Sequence, residues 1–140
     1  METVKIGVSG SRKGTTAAQK ARFVEILPPE LGELHHGDCI GSDEELHAIV
    51  RVQRPDTRIV AHPPDNPSRR AFVVDADEYR EPLPYLDRNR HIVDDSDRLI
   101  ATPDGFVEEV RSGTWYTVRY ARSQGKQVTV IFPDGSIAES

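Results

Sequence analysis

At 140 residues the chain has the length of one domain, with enough sequence to bury a genuine core. A formal net charge of −5 leaves no basic surplus to displace counterions from duplex DNA, and no apolar run approaches the roughly 18 residues that span a bilayer. The single cysteine, Cys39, excludes an internal disulfide; with no leader-like N-terminus, the expected setting is the reducing cytoplasm.

The chain opens on an apolar strand, Val4 to Val8, that runs into the small-residue turn Gly7 to Thr16. Thr15 or Thr16 is placed to cap a helix through about Leu27, which Pro28 and Pro29 end. Glu33 to His36 is a short second strand, punctuated by the turn from Gly37 to Asp43. Ser42 or Asp43 is placed to cap a helix from Glu44 to about Gln53, with Glu44 and Glu45 complementing its dipole. Arg58 to His62 is a third strand, stopped by Pro63 and Pro64.

Residues 65–84 are polar and proline-bearing, with Ala71 to Val74 as an apolar island. This predicts a long loop with room for one short strand. Tyr85 to Asp95 has helical spacing, Asp97 to Thr102 is a fourth strand, and a second loop leads to Arg111. Gly113 to Gln124 is the best helix, stopped by Gly125, and Gln127 to Phe132 is a strand of the kind buried on both faces. The tail, residues 133–140, carries no signal. Strand and helix alternate five times, which predicts a single α/β domain over residues 1–140. It is a doubly wound, mostly parallel sheet of about five strands, with the first strand central and helices on both faces.

Ligands of such sheets bind beyond the carboxyl ends of the strands, where all three glycine turns fall. Gly10, Ser11 and Arg12 offer bare backbone, a hydroxyl and a guanidinium, without the spacing of a dinucleotide fingerprint or a Walker A loop. Gly37, Asp38, Gly41 and Asp43 form the second turn. Asp38, Asp43 and His47 suit sugar hydroxyls or simple capping better than a metal, since His35, His36 and Cys39 lack the paired spacings of a zinc site. Arg88 and Asn89 are expected to meet an anion and a base or sugar. Arg111, Ser112, Gly113 and Thr114 form a polar turn opening a helix, a natural phosphate site, with Trp115 available either to stack on a base or to fill the core. No nucleophile elbow is present, and the catalytic candidates reduce to Glu108, its neighbour Glu109, and Asp43.

Taken in order, Gly7 to Arg12, His36 to Asp43, Tyr85 to Val93, Asp97 to Ala101 and Arg111 to Trp115 resemble the SLOG superfamily. These are Rossmann-like nucleotide-binding proteins that include the DprA/SMF proteins and the LOG phosphoribohydrolases, and the likeness is greatest to small stand-alone bacterial and phage types. The resemblance covers nearly the whole chain. It implies a nucleotide or nucleotide-derived ligand such as an ADP-ribose derivative, no cofactor, no metal, and a homodimer or higher homo-oligomer. LOG enzymes cleave the N-glycosidic bond of nucleoside 5′-monophosphates with an Arg-Lys pair and a PGGxGTxxE turn. Their arginine falls on Arg88, their lysine on Asn89 and their Gly-Thr on Gly113-Thr114. Two glycines are replaced, and the catalytic glutamate falls on Thr117, which has no carboxylate to stabilise an oxocarbenium-like centre or activate water. The expectation is therefore a sensor or sequestering module. The alternative is a nucleotide-processing N-glycosidase or transferase with a relocated carboxylate. A DprA-like single-strand partner is disfavoured by charge and by the lack of interleaved aromatics.

Overall fold

The computed structural model describes residues 2–140. Seven strands form one sheet in the order β4-β3-β2-β1-β5-β6-β7. They are β1 (Val4–Gly10), β2 (Leu31–His36), β3 (Arg58–Ala61), β4 (Glu78–Tyr79), β5 (Arg98–Thr102), β6 (Gln127–Ile131) and β7 (Ile137–Glu139). All neighbours are parallel except β6 and β7. The helices are α1 (Ala17–Ile26), α2 (Ser42–Gln53), α3 (Tyr85–Asp94) and α4 (Gly113–Ser123). Among the described residues no helix is long and apolar enough to cross a membrane.

Alternation along each strand builds two cores. On one face Ile6, Val8, Leu34, Ile59 and Ile100 meet Phe23 and Leu27 of the α1 segment and Leu46 and Val50 of α2. On the other, Leu99, Ala101, Val128 and Val130 meet Val93 of α3 and Trp115, Val118 and Ala121 of α4. The central position of β1 follows from its pairing: β2 lies on one side and β5 on the other, so the chain reverses direction of winding there. That reversal leaves a crevice at the strand ends.

The sheet exceeds the five strands expected by one at each edge. Glu78–Tyr79 adds β4 within the long loop, where Asp77 accepts from the Ile59 amide at 2.7 Å and Arg58 pairs with Glu78 at 2.5 Å. The apolar island Ala71 to Val74 is not the strand; Val74 is exposed and Phe72 takes a positive φ of 57°. The tail forms β7 after the turn Pro133-Asp134-Gly135-Ser136, in which Asp134 accepts from the Ser136 amide at 3.0 Å. The Pro-Asp-Gly order is itself a hairpin signal, one the tail's shortness obscured.

Candidate functional site

The second turn is built on the backbone of the β1–α1 turn. Ser42 donates to the Ser11 carbonyl through both its amide (3.0 Å) and its hydroxyl (2.9 Å). This contact sets the approach of Gly41, whose φ is 102° and whose missing Cβ would stand 2.7 Å from the Ser11 oxygen. Gly41 therefore serves the junction of two turns, not the crevice wall.

Between the ends of β1 and β5 lies a cavity of about 300 Å³. Its walls come from Gly10 to Lys13 after β1, Cys39 and Asp43 of the second turn, Arg88 and Asn89 of α3, and Arg111 to Thr114 at the start of α4. Eleven of the residues singled out from sequence thus meet in one place: Gly10, Ser11, Arg12, Asp43, Arg88, Asn89, Glu109, Arg111, Ser112, Gly113 and Thr114. Gly37, Asp38, Gly41, Trp115 and Glu108 do not line it.

The reasons are physical in each case. Asp38 is fully buried and spent on the long loop: Oδ2 accepts from Arg70 Nε at 2.7 Å, Oδ1 from the Val73 amide at 3.0 Å, and its carbonyl from the Ala71 amide at 2.8 Å. Trp115 is 6% exposed and belongs to the core under α4. Glu108 pairs with Arg119 at 2.9 Å on the surface, whereas its neighbour Glu109 is the one at the cavity. His47 lies in a separate buried chain. The Asp38 amide donates to His36 Nδ1 (2.9 Å), His36 Nε2 donates to His47 Nδ1 (2.9 Å), and His47 Nε2 donates to Asp75 Oδ1 (2.5 Å). Each tautomer follows from its partners. Asp38, Asp43 and His47 are thus not gathered around a common point.

Arg88 lines the cavity, but its guanidinium is largely occupied. Nε donates to Asn89 Oδ1 (2.7 Å), Nη1 to the carbonyls of Gly37 and His62, and Nη2 to Cys39 Sγ (3.4 Å). With five N–H groups in all, one is left for a ligand. Arg88 is a strut between α3 and the ends of β2 and β3. The cations at the wall with no ion-pair or hydrogen-bond partner among the described residues are Arg12, Arg69 and Arg111.

Two features make this cavity chemically distinct. At the start of α4, Ser112 caps the helix by accepting from the Trp115 amide at 3.3 Å, and the Tyr116 amide reaches the Ser112 carbonyl. Among the described residues the amides of Gly113 and Thr114, two residues of the cavity wall, find no protein acceptor. Across from them, Asp43 is buried, with Oδ2 accepting from the amides of Gly37 (3.0 Å) and Cys39 (3.3 Å) and Oδ1 without a partner. Burial pushes its carboxyl up to about 6, against the pull of Arg88 and the two amides. Burial also raises the Cys39 thiol, so it is no activated nucleophile.

Tyr85, Arg69 and Pro64 complete the wall and were not singled out from sequence as ligand contacts. Tyr85 is part-exposed at the start of α3, with Gly113 beside its ring. Arg69 arrives from the long loop, which the Asp38 contacts fasten to the second turn. Only the folded loop reveals this. Thr117, where LOG enzymes carry their glutamate, is fully buried and donates to the Gly113 carbonyl at 2.8 Å.

No family model matches the chain, and no curated protein does. Among solved structures, the X-ray structure of TM1055, a target of the Northeast Structural Genomics Consortium, matches with a TM-score of 0.65 at 19% identity. The match covers 90% of this chain and 72% of that one. At this identity the likeness concerns the fold, a Rossmann-like α/β sheet, and fold by itself assigns no function.

Proposed function

We propose that this protein binds a nucleotide or nucleotide-derived small molecule at the carboxyl edge of its sheet, as a SLOG-type sensor or sequestering module. The observation that carries the reading is the pair of unpartnered amides, Gly113 and Thr114, at the start of α4, with Arg12 and Arg111 on the same cavity wall. Amides and dipole at a helix start favour phosphate, and free guanidinium groups add charge-assisted hydrogen bonds. Tyr85 supplies an aromatic face for a base.

One observation favours a second reading, a nucleotide N-glycosidase. Asp43 is a cavity carboxyl held near 6, suited to exchanging a proton at neutral pH. Calorimetry with AMP and ADP-ribose, followed by mass spectrometry of the same mixtures, separates the readings. Retained intact ligand supports the module, and free base with ribose phosphate supports the enzyme. No heat and no turnover with either compound at millimolar concentration would falsify both. The resemblance further suggests a homo-oligomer, which light scattering of the same sample checks.

A further inference from the structure

Away from the cavity, three side chains from three different elements converge. His35 is the penultimate residue of β2, on the face opposite His36, His62 follows β3, and Asp95 caps the end of α3. Their ligand atoms lie within 4.8 Å of one another. His35 Nδ1 and His62 Nε2 are 2.9 Å apart, a few tenths of an ångström short of the roughly 3.3 Å edge of a tetrahedral site with bonds of about 2.0 Å. None of the three lines the cavity between β1 and β5.

We propose that His35, His62 and Asp95 form a site for a divalent transition-metal ion of the zinc class, with solvent completing the coordination. The donor set is two imidazole nitrogens and one carboxylate oxygen, which suits such ions and not calcium or magnesium. An outer carboxylate is already in place. Glu33 Oε1 lies 2.9 Å from His35 Nε2 and accepts its proton, which leaves the Nδ1 lone pair aimed at His62. Carboxylate-oriented histidines of this kind are the usual second layer of a metal site. Both rings are buried, His35 at 1% and His62 at 2% exposure, so their ring nitrogens are held in place by the surrounding fold.

In the metal-free protein the His62 Nε2–H donates to His35 Nδ1. The ion takes the place of that proton, which moves to His62 Nδ1, so the exchange is neutral in protons. Among the described residues the one cation bearing directly on Asp95 is Arg80, whose Nη1 donates to Oδ2 at 2.9 Å while its Nε holds Glu78. Oδ1 remains for the ion. Sequence spacing does not reveal this site because 27 residues separate the two histidines and the carboxylate comes from a helix end.

The test uses untagged, chelator-treated protein and Zn²⁺ alone, followed by calorimetry and, with Co²⁺ as a second probe, by its visible absorption. One ion per chain is expected, bound at about micromolar affinity or tighter, with a tetrahedral Co²⁺ spectrum. Asp95→Asn and Glu33→Gln should each weaken Zn²⁺ binding by about tenfold or more, the second through orientation of His35 alone. His91→Gln, at an exposed histidine on the same helix, should leave it unchanged. His62→Gln should abolish binding, and if that variant fails to fold, the two carboxylate variants decide. Absence of a one-to-one site, or a loss below about fivefold in both carboxylate variants, would show a hydrogen-bonded histidine pair and nothing more. Because no nucleotide enters this experiment, its outcome is independent of the cavity's ligand.

Discussion

The guanidinium of Arg88 and the carboxylate of Asp43 meet over the bare backbone of Gly37. A Cβ on Gly37 would stand 2.7 Å from Arg88 Cζ and 2.8 Å from Asp43 Oδ2, a space only glycine leaves open. Three elements therefore depend on one absent methyl: the end of β2, the start of α2 and the first turn of α3.

Gly37→Ala is expected to cost about 1–3 kcal/mol, as overpacking of a tight site does. Arg88→Ala is expected to cost about 3–5 kcal/mol, because it strands the buried Gly37 and His62 carbonyls and leaves Asp43 without its counter-charge. Arg88→Lys should recover little of this, since an ammonium cannot span the same acceptors. Chemical denaturation of the three variants checks the ranking. Equal stability of Arg88→Ala and wild type would remove Arg88's structural role.

Arg12 and Arg111 should behave in the opposite way. Each has no protein partner among the described residues, so replacement by Ala should leave the melting temperature within about a degree or two. Ligand affinity should fall about tenfold or more, the loss of one charge-assisted hydrogen bond. Titration of AMP into both variants is the measurement. Affinity equal to wild type in both would place the phosphate elsewhere.

Asp43 ties ligand binding to pH. With its carboxyl held at about 6, a negative charge at the cavity is removed as the pH falls through that value. Affinity for an anionic ligand should therefore rise between about pH 7 and pH 5, by severalfold, and Asp43→Asn should flatten the profile. The amide can still accept from Gly37 and Cys39, so this variant should fold. If it retains ligand but loses any release of free base, the carboxyl is the proton-exchanging group of the second reading.

The buried histidines set the acid limit of the fold. His62 is driven down to about 3, His36 well below its usual value and His35 below it, in each case chiefly by burial. A histidine depressed in the folded state gains its proton more readily when unfolded. Stability is then full above the unfolded value of about 6.5 and is lost as the pH falls, at up to ~1.4 kcal/mol per pH unit for each group. Asp43 works against this, because its raised carboxyl takes up a proton in the folded state between about 6 and its usual value. Three groups outweigh one. Urea midpoints should decline between about pH 6.5 and pH 4.5, and a flat profile would mean that the rings are not held neutral by the fold.

The α/β alternation, the central β1, the starts of α1, α3 and α4 and the three turns at the strand ends were legible in the residues alone; α2 begins at Ser42 behind Gly41, not at Glu44 behind a Ser42 or Asp43 cap, because those two side chains bond Ser11, Gly37 and Cys39 instead. Apolar runs, prolines and capping residues act locally, so their order along the chain is enough. The cap at Thr16 illustrates this: its side chain accepts from the Gln19 amide at 3.0 Å, and Gln19 returns the bond to the Thr16 amide at 3.0 Å. Short edge strands were not legible. Glu78–Tyr79 owes its pairing to Arg58 and Asp77, contacts distant in sequence from the signals a strand of two residues can carry.

Which polar residue faces a ligand and which one braces the fold is decided by tertiary structure. Asp38 and Asp43 sit in the same turn, yet one is consumed by Arg70 and Val73 while the other lines the cavity with one oxygen buried and unpartnered among the described residues. Arg88 and Arg111 carry the same charge, yet only the second is free of protein partners. Sequence determines that a group can donate, accept or ionise; its remaining capacity depends on what the fold has already placed within hydrogen-bonding reach.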